Sequence, residues 1–482
     1  MRKTLLVVTA LLLIFCFEGI QAQSVDFPYW YGMRNQWGMN SGFDFNTSGK
    51  SGRSIAMGGT YYALNNEGYG AFLNAAGMVQ TQKALMSLST LVGNDAPTGA
   101  PFSIPTLGFS DTITTVDVAT GVNEFDNSHV QIDQGGAVTP FYYFNREWWA
   151  GAGYRKAFDM YTEYTMPYYI EGQEAFYTQH GSIDAISGAI ATKIMPNFSI
   201  GVNMNLYVRG YEQNVWFPVP YSNSYGDTLF VNNHMRDKST FNGSNFDFSG
   251  FLDFDMVKVG FNISTAFTLT QKTLYNIEAI QDDGSPNGTI DRITAKNKFP
   301  MTFGGGVAFT PNEQVTLAID VTHKPFSKVK IDIDPQQNMY NDITDYDPNW
   351  EDLTQIRIGA EYILDFESFD IPLRAGLQNI PGLTKATTYI ESFDTTDATD
   401  FTIFSSYDDS TSSGDQFNTY LFSFGSGLKF QKIWFDFAYQ FGKSEYDQTR
   451  IVTGNIYTDQ YTWHTKVEQS YSRFYISASM LF

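Results

Sequence analysis

HTKVEQSYSRFYISASMLF, residues 464–482, ends the chain, and in it Phe474, Ile476, Ala478, Met480 and Phe482 alternate with the polar or small Ser472, Tyr475, Ser477 and Ser479. A period of two sends successive side chains to opposite faces of a strand. One face here is greasy, the other wet, and the strand stops on an aromatic. This is the pattern of the closing strand of an outer-membrane β-barrel, in which every second residue meets lipid. A half-buried edge strand of a soluble sheet shows the same local alternation, so the rest of the chain has to decide.

Upstream, segments of membrane-strand length follow one another. Phe198, Ile200, Val202, Met204, Leu206 and Val208 interleave with Ser199, Gly201, Asn203, Asn205, Tyr207 and Arg209. Val259, Phe261, Ile263, Thr265, Phe267 and Leu269 form a similar row, which predicts a single lipid face along all of 258–271. Fourteen segments read this way: 82–92, 131–145, 147–158, 182–195, 197–212, 243–257, 258–271, 297–310, 313–328, 353–365, 369–379, 416–430, 432–446 and 465–482. Tight turns join them at 145–147, 195–197, 256–258, 311–313, 365–368 and 431–432, and every other connection is a long loop. Short turns on one rim and long loops on the other describe an outer-membrane barrel with periplasmic turns. A soluble sandwich has no reason to alternate its loops and would leave edges to blunt. In lipid an open edge is costlier still, so the sheet must close. The expected fold is therefore all-β: a 14-stranded antiparallel transmembrane β-barrel over 82–482, its lower aromatic girdle drawn from Tyr142, Tyr143, Trp148, Trp149, Phe198, Phe430 and Trp434.

The other end of the chain points to the same compartment. Arg2 and Lys3 precede an apolar run from Leu5 to Phe15 and a short polar stretch to Ala22, the layout of a secretory signal peptide spanning 1–22. The run is shorter than the roughly 20 residues a spanning helix needs. Cys16, the single cysteine, lies inside it with Phe15 before it, which leaves no expectation of a lipid anchor, disulfide or thiolate metal site. The formal charge of −21 has the wrong sign for a nucleic-acid partner. Much of the acid falls in the long loops, at Asp282, Asp283, Asp342, Asp347, Asp394, Asp397 and Asp408 among others, where solvation explains it. Residues 282–288 lack the ligand spacing and closing Glu of a calcium loop, so neither metal nor cofactor is expected.

Residues 23–81 show no strand alternation of membrane length. A lumen the width of fourteen strands leaks if empty, and this segment is the natural plug. Its sequence is specific: Gly52-Arg53-Ser54-Ile55-Ala56-Met57-Gly58-Gly59-Thr60, then Asn74-Ala75-Ala76-Gly77-Met78. The two runs resemble the N-terminal signature of FadL-type outer-membrane transporters of long-chain fatty acids and other hydrophobic compounds, an Arg-x-x-x-Met-Gly-Gly run followed by Asn-Pro-Ala-Gly. Ala75 stands where that family usually has proline, which would stiffen the chain ahead of the first strand. The resemblance implies a hatch in the lumen with Arg53, Met57, Gly58, Gly59, Asn74, Ala75, Ala76 and Gly77 as hatch or ligand-contact residues. It also implies capture of an apolar molecule above the hatch and sideways release through a gap in the third strand, where Gly151 and Gly153 are candidates for the kink. The aromatics Phe27, Tyr29, Trp30, Tyr31 and Trp37 are candidates for the lining.

The partners this reading expects are a hydrophobic small molecule, outer-membrane lipid, and the barrel-assembly machinery, for which terminal Phe482 resembles the insertion signal. PorV-like proteins share the barrel and a similar signature but bind exported proteins in type IX secretion, and that accessory role is the alternative. Arg357, Glu361 and Arg374 fall near one lumen level, with Asp253, Asp255 and Asp436 near the same rim, an expected ion-pair layer bracing barrel to hatch. Of the five histidines, His129, His180, His234, His323 and His464, only His323 lies well inside a strand, with no serine two residues off, and no enzyme is expected.

Overall fold

The computed structural model describes residues 50–64, 73–98, 129–167, 174–222, 228–280, 286–333, 345–346, 350–385, 388–393, 406–407, 416–454 and 457–482. The expected signal peptide, the aromatics at 27–37 and most of the loop acids lie outside the described residues.

Among them, fourteen staves close one antiparallel barrel. They are β1 (Leu85–Thr98), β2 (His129–Tyr143), β3 (Arg146–Asp159, resuming as Thr162–Pro167), β4 (Glu174–Met195), β5 (Phe198–Ser222) and β6 (Thr228–Phe254). Next come β7 (Val257–Ser264 and Phe267–Ile280), β8 (Pro286–Phe299 and Thr302–Phe309) and β9 (Val315–Lys324 and Lys330–Ile333). The ring is completed by β10 (Leu353–Phe366), β11 (Phe369–Lys385), β12 (Gln416–Phe430), β13 (Ile433–Gly454) and β14 (Tyr457–Leu481). Closure joins β14 to β1 with Leu481 opposite Leu85, and the Phe482 amide donates to the Ala84 carbonyl at 2.9 Å. In β14, Phe474, Ile476, Met480 and Phe482 are exposed while Tyr475, Ser477 and Ser479 are buried inward. The sheet has no free edge there, as lipid requires.

The short turns fall where expected, between β2 and β3, β4 and β5, β6 and β7, β8 and β9, β10 and β11, and β12 and β13. Several of the long connections differ from the expectation. β5 and β6, 25 and 27 residues long, stay paired down to Ser222 opposite Thr228, and β13 and β14 stay paired to Gly454 opposite Tyr457. A bilayer needs only about 9–11 residues per strand. The remainder projects as β-ribbon, because a chain leaving the membrane can keep its ladder hydrogen bonds. The polar residues read as loop are its outer half.

Two further expectations are corrected. Trp149 does not join the girdle: adjacent Trp148 and Trp149 point to opposite faces, and Trp149 turns inward, 2% exposed. Tyr142, Tyr143 and Phe430 do stand exposed beside the short turns. The row from Val259 to Leu269 does not keep one face. Up to Ser264 the odd residues face lipid, with Phe261 exposed and Gly260 buried; beyond Ala266 the odd residues turn into the lumen, and Leu269 is wholly buried. The inversion is shared by three adjacent staves. In β8, Phe303 and Phe309 face out below Met301, but Asn297 and Phe299 face in above it. In β9, Leu317, Ile319 and Val321 face out, whereas Val329 is buried beyond the turn at Phe326–Lys328. Ladder pairing stops at Ser264 opposite Thr302 and resumes at Phe267 opposite Phe299, leaving Thr265, Ala266, Pro300 and Met301 outside the ladder between β7 and β8. Pro300 has no N–H to give. Such two-residue breaks re-aim side chains as β-bulges do, and here they form a seam across the wall.

Candidate functional site

Inside the barrel, residues 50–64 and 73–81 are held by inward-facing groups of the staves. Ser51 caps a one-turn helix, α1 (Gly52–Ala56), its hydroxyl accepting from the Ser54 amide at 3.0 Å. The chain then reverses through Gly58 and Gly59, both left-handed at φ 67° and 79°, a conformation glycine adopts without strain. A Cβ on Gly59 would come within 2.6 Å of Gln378 Oε1, so the wall is as tight as the turn. The Gly52 amide donates to Ser477 Oγ and the Gly58 amide to Ser423 Oγ. Asp320 Oδ2 accepts from the backbone amides of Tyr61 and Tyr62, at 2.6 and 3.1 Å.

Residues 74–81 sit against the opposite wall. Asn74 Nδ2 donates to the Tyr62 carbonyl at 2.8 Å, tying the two pieces together. Ala76 donates its amide to Ser249 Oγ and accepts at its carbonyl from Ser199 Oγ. Ala75 and Met78 pack with Val138, Trp149 and Ala191, and Trp149 Nε1 donates to the Thr81 carbonyl at 2.8 Å. Gly201 of β5 is the pad against which this turn rests: a Cβ there would lie 2.5 Å from the Ala76 amide nitrogen. The eight candidate hatch residues therefore pack within the segment or on the barrel, with Met57 packed on Ala63, Ala308 and Ala318.

Arg53 supplies the charge. It forms a two-pronged pair with Glu361, which also accepts from Arg374, and Arg374 in turn donates to Asp436 at 2.6 Å. This is the ion-pair layer expected from sequence, with a changed membership. Arg357 lies higher, donating to Thr322 Oγ1 at 2.7 Å with its guanidinium 5.6 Å from the Tyr61 ring centre. Asp253 and Asp255 stay at the rim, where Asp253 accepts from the Asp255 amide. Lys50 is enclosed near Arg357 and Lys324, and burial first, then those cations, hold its ammonium well below the ordinary lysine range. Its Nζ has no hydrogen-bond partner among the described residues.

Directly above this level the lumen turns apolar. Ile183, Leu269, Val329 and Leu353 are fully buried with Phe158, Met160, Tyr207, Phe241, Phe299, Phe326 and Trp350 in one cluster. Phe267 stacks on Phe299 at 5.0 Å between centroids, Phe299 meets Phe326 edge-on at 5.7 Å, and Trp350 lies 6.2 Å from Phe299. These are geometries aromatic quadrupoles favour. Sequence reasoning missed this cluster because it assumed an unbroken strand phase; Pro300 and Pro325 inside predicted strands were the available signal. The cluster is backed by the seam, and on the lipid side of that seam Phe246, Met301 and Phe303 are exposed.

Gly151 and Gly153 lie in unbroken pairing on both sides, opposite Val138 and Gly136 on β2 and Ala189 and Ser187 on β4. The irregularity of β3 comes later, with a register shift between Lys156 and Phe158 and the interruption at Met160 and Tyr161. A groove of about 580 Å³ lined by Val307, Phe309, Leu317, Ile319, Ile358 and Leu377 lies on the outer, lipid-facing side and is no luminal site. Three histidines have structural partners: His180 stacks on Tyr161, His234 on Trp216, and His323 Nδ1 meets Thr354 Oγ1 at 3.0 Å. Among the described residues no three His, Cys, Asp or Glu side chains gather as a metal site.

No protein-family model matches the chain, and no curated protein matches it. Solved structures do. A FadL homologue of Pseudomonas aeruginosa is similar at 15% identity with a TM-score of 0.60, over 90% of this chain and 98% of that one. The toluene transporter TodX of P. putida is similar at 13% identity with a TM-score of 0.56, over 90% and 99%. The CymD monoaromatic hydrocarbon channel follows at 13% identity and 0.51, over 90% and 98%. The likeness is one of fold: the chain closes a barrel like those of these FadL-type proteins, and its exposed apolar belt is the surface such a barrel turns to lipid.

Proposed function

We propose that the chain is a passive outer-membrane transporter of hydrophobic or amphipathic small molecules, long-chain fatty acids and monoaromatic hydrocarbons being the substrate classes to try first. One observation carries this reading: the closed apolar cluster around Phe299, Phe326 and Trp350 sits between the polar N-terminal segment below and a seam in the wall beside it. A water-filled pore rejects an alkyl chain, while a dry aromatic-lined lumen accepts it. In this reading the segment 23–81 acts as a hatch that denies the molecule a route straight to the periplasm. The ligand loosens the cluster from the external side, displaces side chains that pack on one another, and leaves sideways. The seam between β7, β8 and β9 is then the exit, since residues that have no ladder bonds to lose separate at least cost.

Mass spectrometry of organic extracts from the protein purified in mild detergent tests this reading. An apolar molecule of stoichiometric amount supports it. Extracts no different from those of an unrelated barrel, together with secreted proteins retained on the immobilised chain, would move the assignment to the PorV-like accessory role.

A further inference from the structure

The phase inversion has a second product, on the outer face. Above the seam, the staves that turn aromatics inward turn lysines outward: Lys272 on β7, Lys296 and Lys298 on β8 and Lys330 on β9 are all exposed. The register makes them neighbours. Lys298 is directly opposite Lys330, and Lys272 opposite Thr294 is the diagonal neighbour of Lys296 opposite Thr270. Strands lie about 4.8 Å apart, so four ammonium groups share one small patch in a chain whose net charge is −21. Like charges directly opposed across strands repel. The described acid bonded to one of these lysines is Asp332, held by Lys298, with Asp345 opposite it at the upper edge; Asp352 faces Lys328 beside the patch and Glu212 is paired with Arg236 of β6. Immediately below the patch the wall is apolar, with Phe261, Met301, Phe303 and Val321 exposed to lipid.

We propose that this patch binds the phosphorylated headgroup of an outer-leaflet glycolipid of the lipid A type. Short turns belong to the periplasmic rim, which puts the lysines at the external boundary of the apolar belt. There, acyl chains would lie against Phe261 and Phe303 while a phosphate meets the lysines above. Basic residues at a membrane surface attract anionic lipid in this way. A free phosphate would use the same lysines but not the belt.

The test measures lipid retained by the purified full chain, with diphosphorylated lipid A, its dephosphorylated form and inorganic phosphate offered separately. The wild type is expected to hold the phosphorylated lipid. The variant K272Q/K296Q/K298Q/K330Q loses retention by about tenfold or more, and K193Q/K432Q, altered at the short-turn rim, keeps it. Equal retention by the quadruple variant, or of the dephosphorylated lipid, overturns the proposal. Inorganic phosphate binding as well as the lipid overturns the lipid assignment. If the quadruple variant lacks the heat-dependent gel shift of a folded barrel, the wild type decides: retention that falls as salt rises is expected, and salt-independent retention contradicts it.

Discussion

Arg53 and Glu361, 308 positions apart, meet inside the barrel with Nη2 2.7 Å from Oε1 and Nε 3.1 Å from Oε2. Arg374 shares the same carboxylate at 2.7 Å, and Lys429 lies within its electrostatic reach. The cations of this layer therefore outnumber the two carboxylates, Glu361 and Asp436. Removing the acid strands buried guanidinium groups, whereas removing Arg53 relieves the excess. We expect Glu361→Gln to lower stability by about 3–5 kcal/mol and Arg53→Met by clearly less, measured as urea midpoints in one detergent. The reverse order would contradict this charge count.

Gly58 is expected to tolerate no side chain. Its left-handed backbone costs an L-residue about 1–2 kcal/mol, and a Cβ would also lie 2.6 Å from the Leu377 amide nitrogen. Gly58→Ala should detach the N-terminal segment from β10 and β11 without opening the barrel. Protease sites near Met57 then become accessible and liposomes carrying the variant swell faster in small sugars. Unchanged protection of that segment would mean the turn is not what seats it.

Trp149 acts as a prop under the second motif. Trp149→Phe keeps an aromatic ring, though a smaller one, and removes the Nε1 bond to the Thr81 carbonyl, leaving a buried acceptor unsatisfied at a cost of about 1–3 kcal/mol. Amide exchange should quicken locally around Met78 to Thr81. An effect spread evenly over the barrel would instead mark Trp149 as wall packing.

The exit route separates two places in the wall. A disulfide between Ala266→Cys and Pro300→Cys spans the level where β7 and β8 have no ladder pair. Closing it should cut uptake of an apolar probe several-fold, with recovery on reduction. Bulky residues at Gly151 and Gly153, which lie in regular pairing, should leave uptake near normal. The opposite pair of results returns the gap to the third strand.

Much of this was legible from the chain because a barrel writes its two solvents into a period of two. The row from Phe474 to Phe482 came out as read, and so did the short turns. Arg53 carried no partner in its own neighbourhood; Glu361 could be placed at its level only through strand register. The aromatic cluster was hidden for a sharper reason. The break at Thr265 and Ala266, which bond to nothing in β8 although Thr265 still pairs with Phe246 of β6, inverts every side chain beyond it, so Phe267 and Leu269 look lipid-facing to any count that runs through it. Pro300 and Pro325 marked the place, but a proline alone does not say whether a strand bends, ends or changes phase.

The central claim is that apolar molecules cross through the cluster above the N-terminal segment. Its most direct test is uptake of a labelled long-chain fatty acid and of toluene by cells that lack their own outer-membrane transporters for them, carrying the wild type, Phe326→Asp or an empty vector. The account predicts that the wild type restores uptake of at least one compound and that Phe326→Asp, at equal level and with its folded gel shift intact, falls toward the vector. Wild-type uptake no greater than the vector for both, or undiminished uptake by Phe326→Asp, would contradict it.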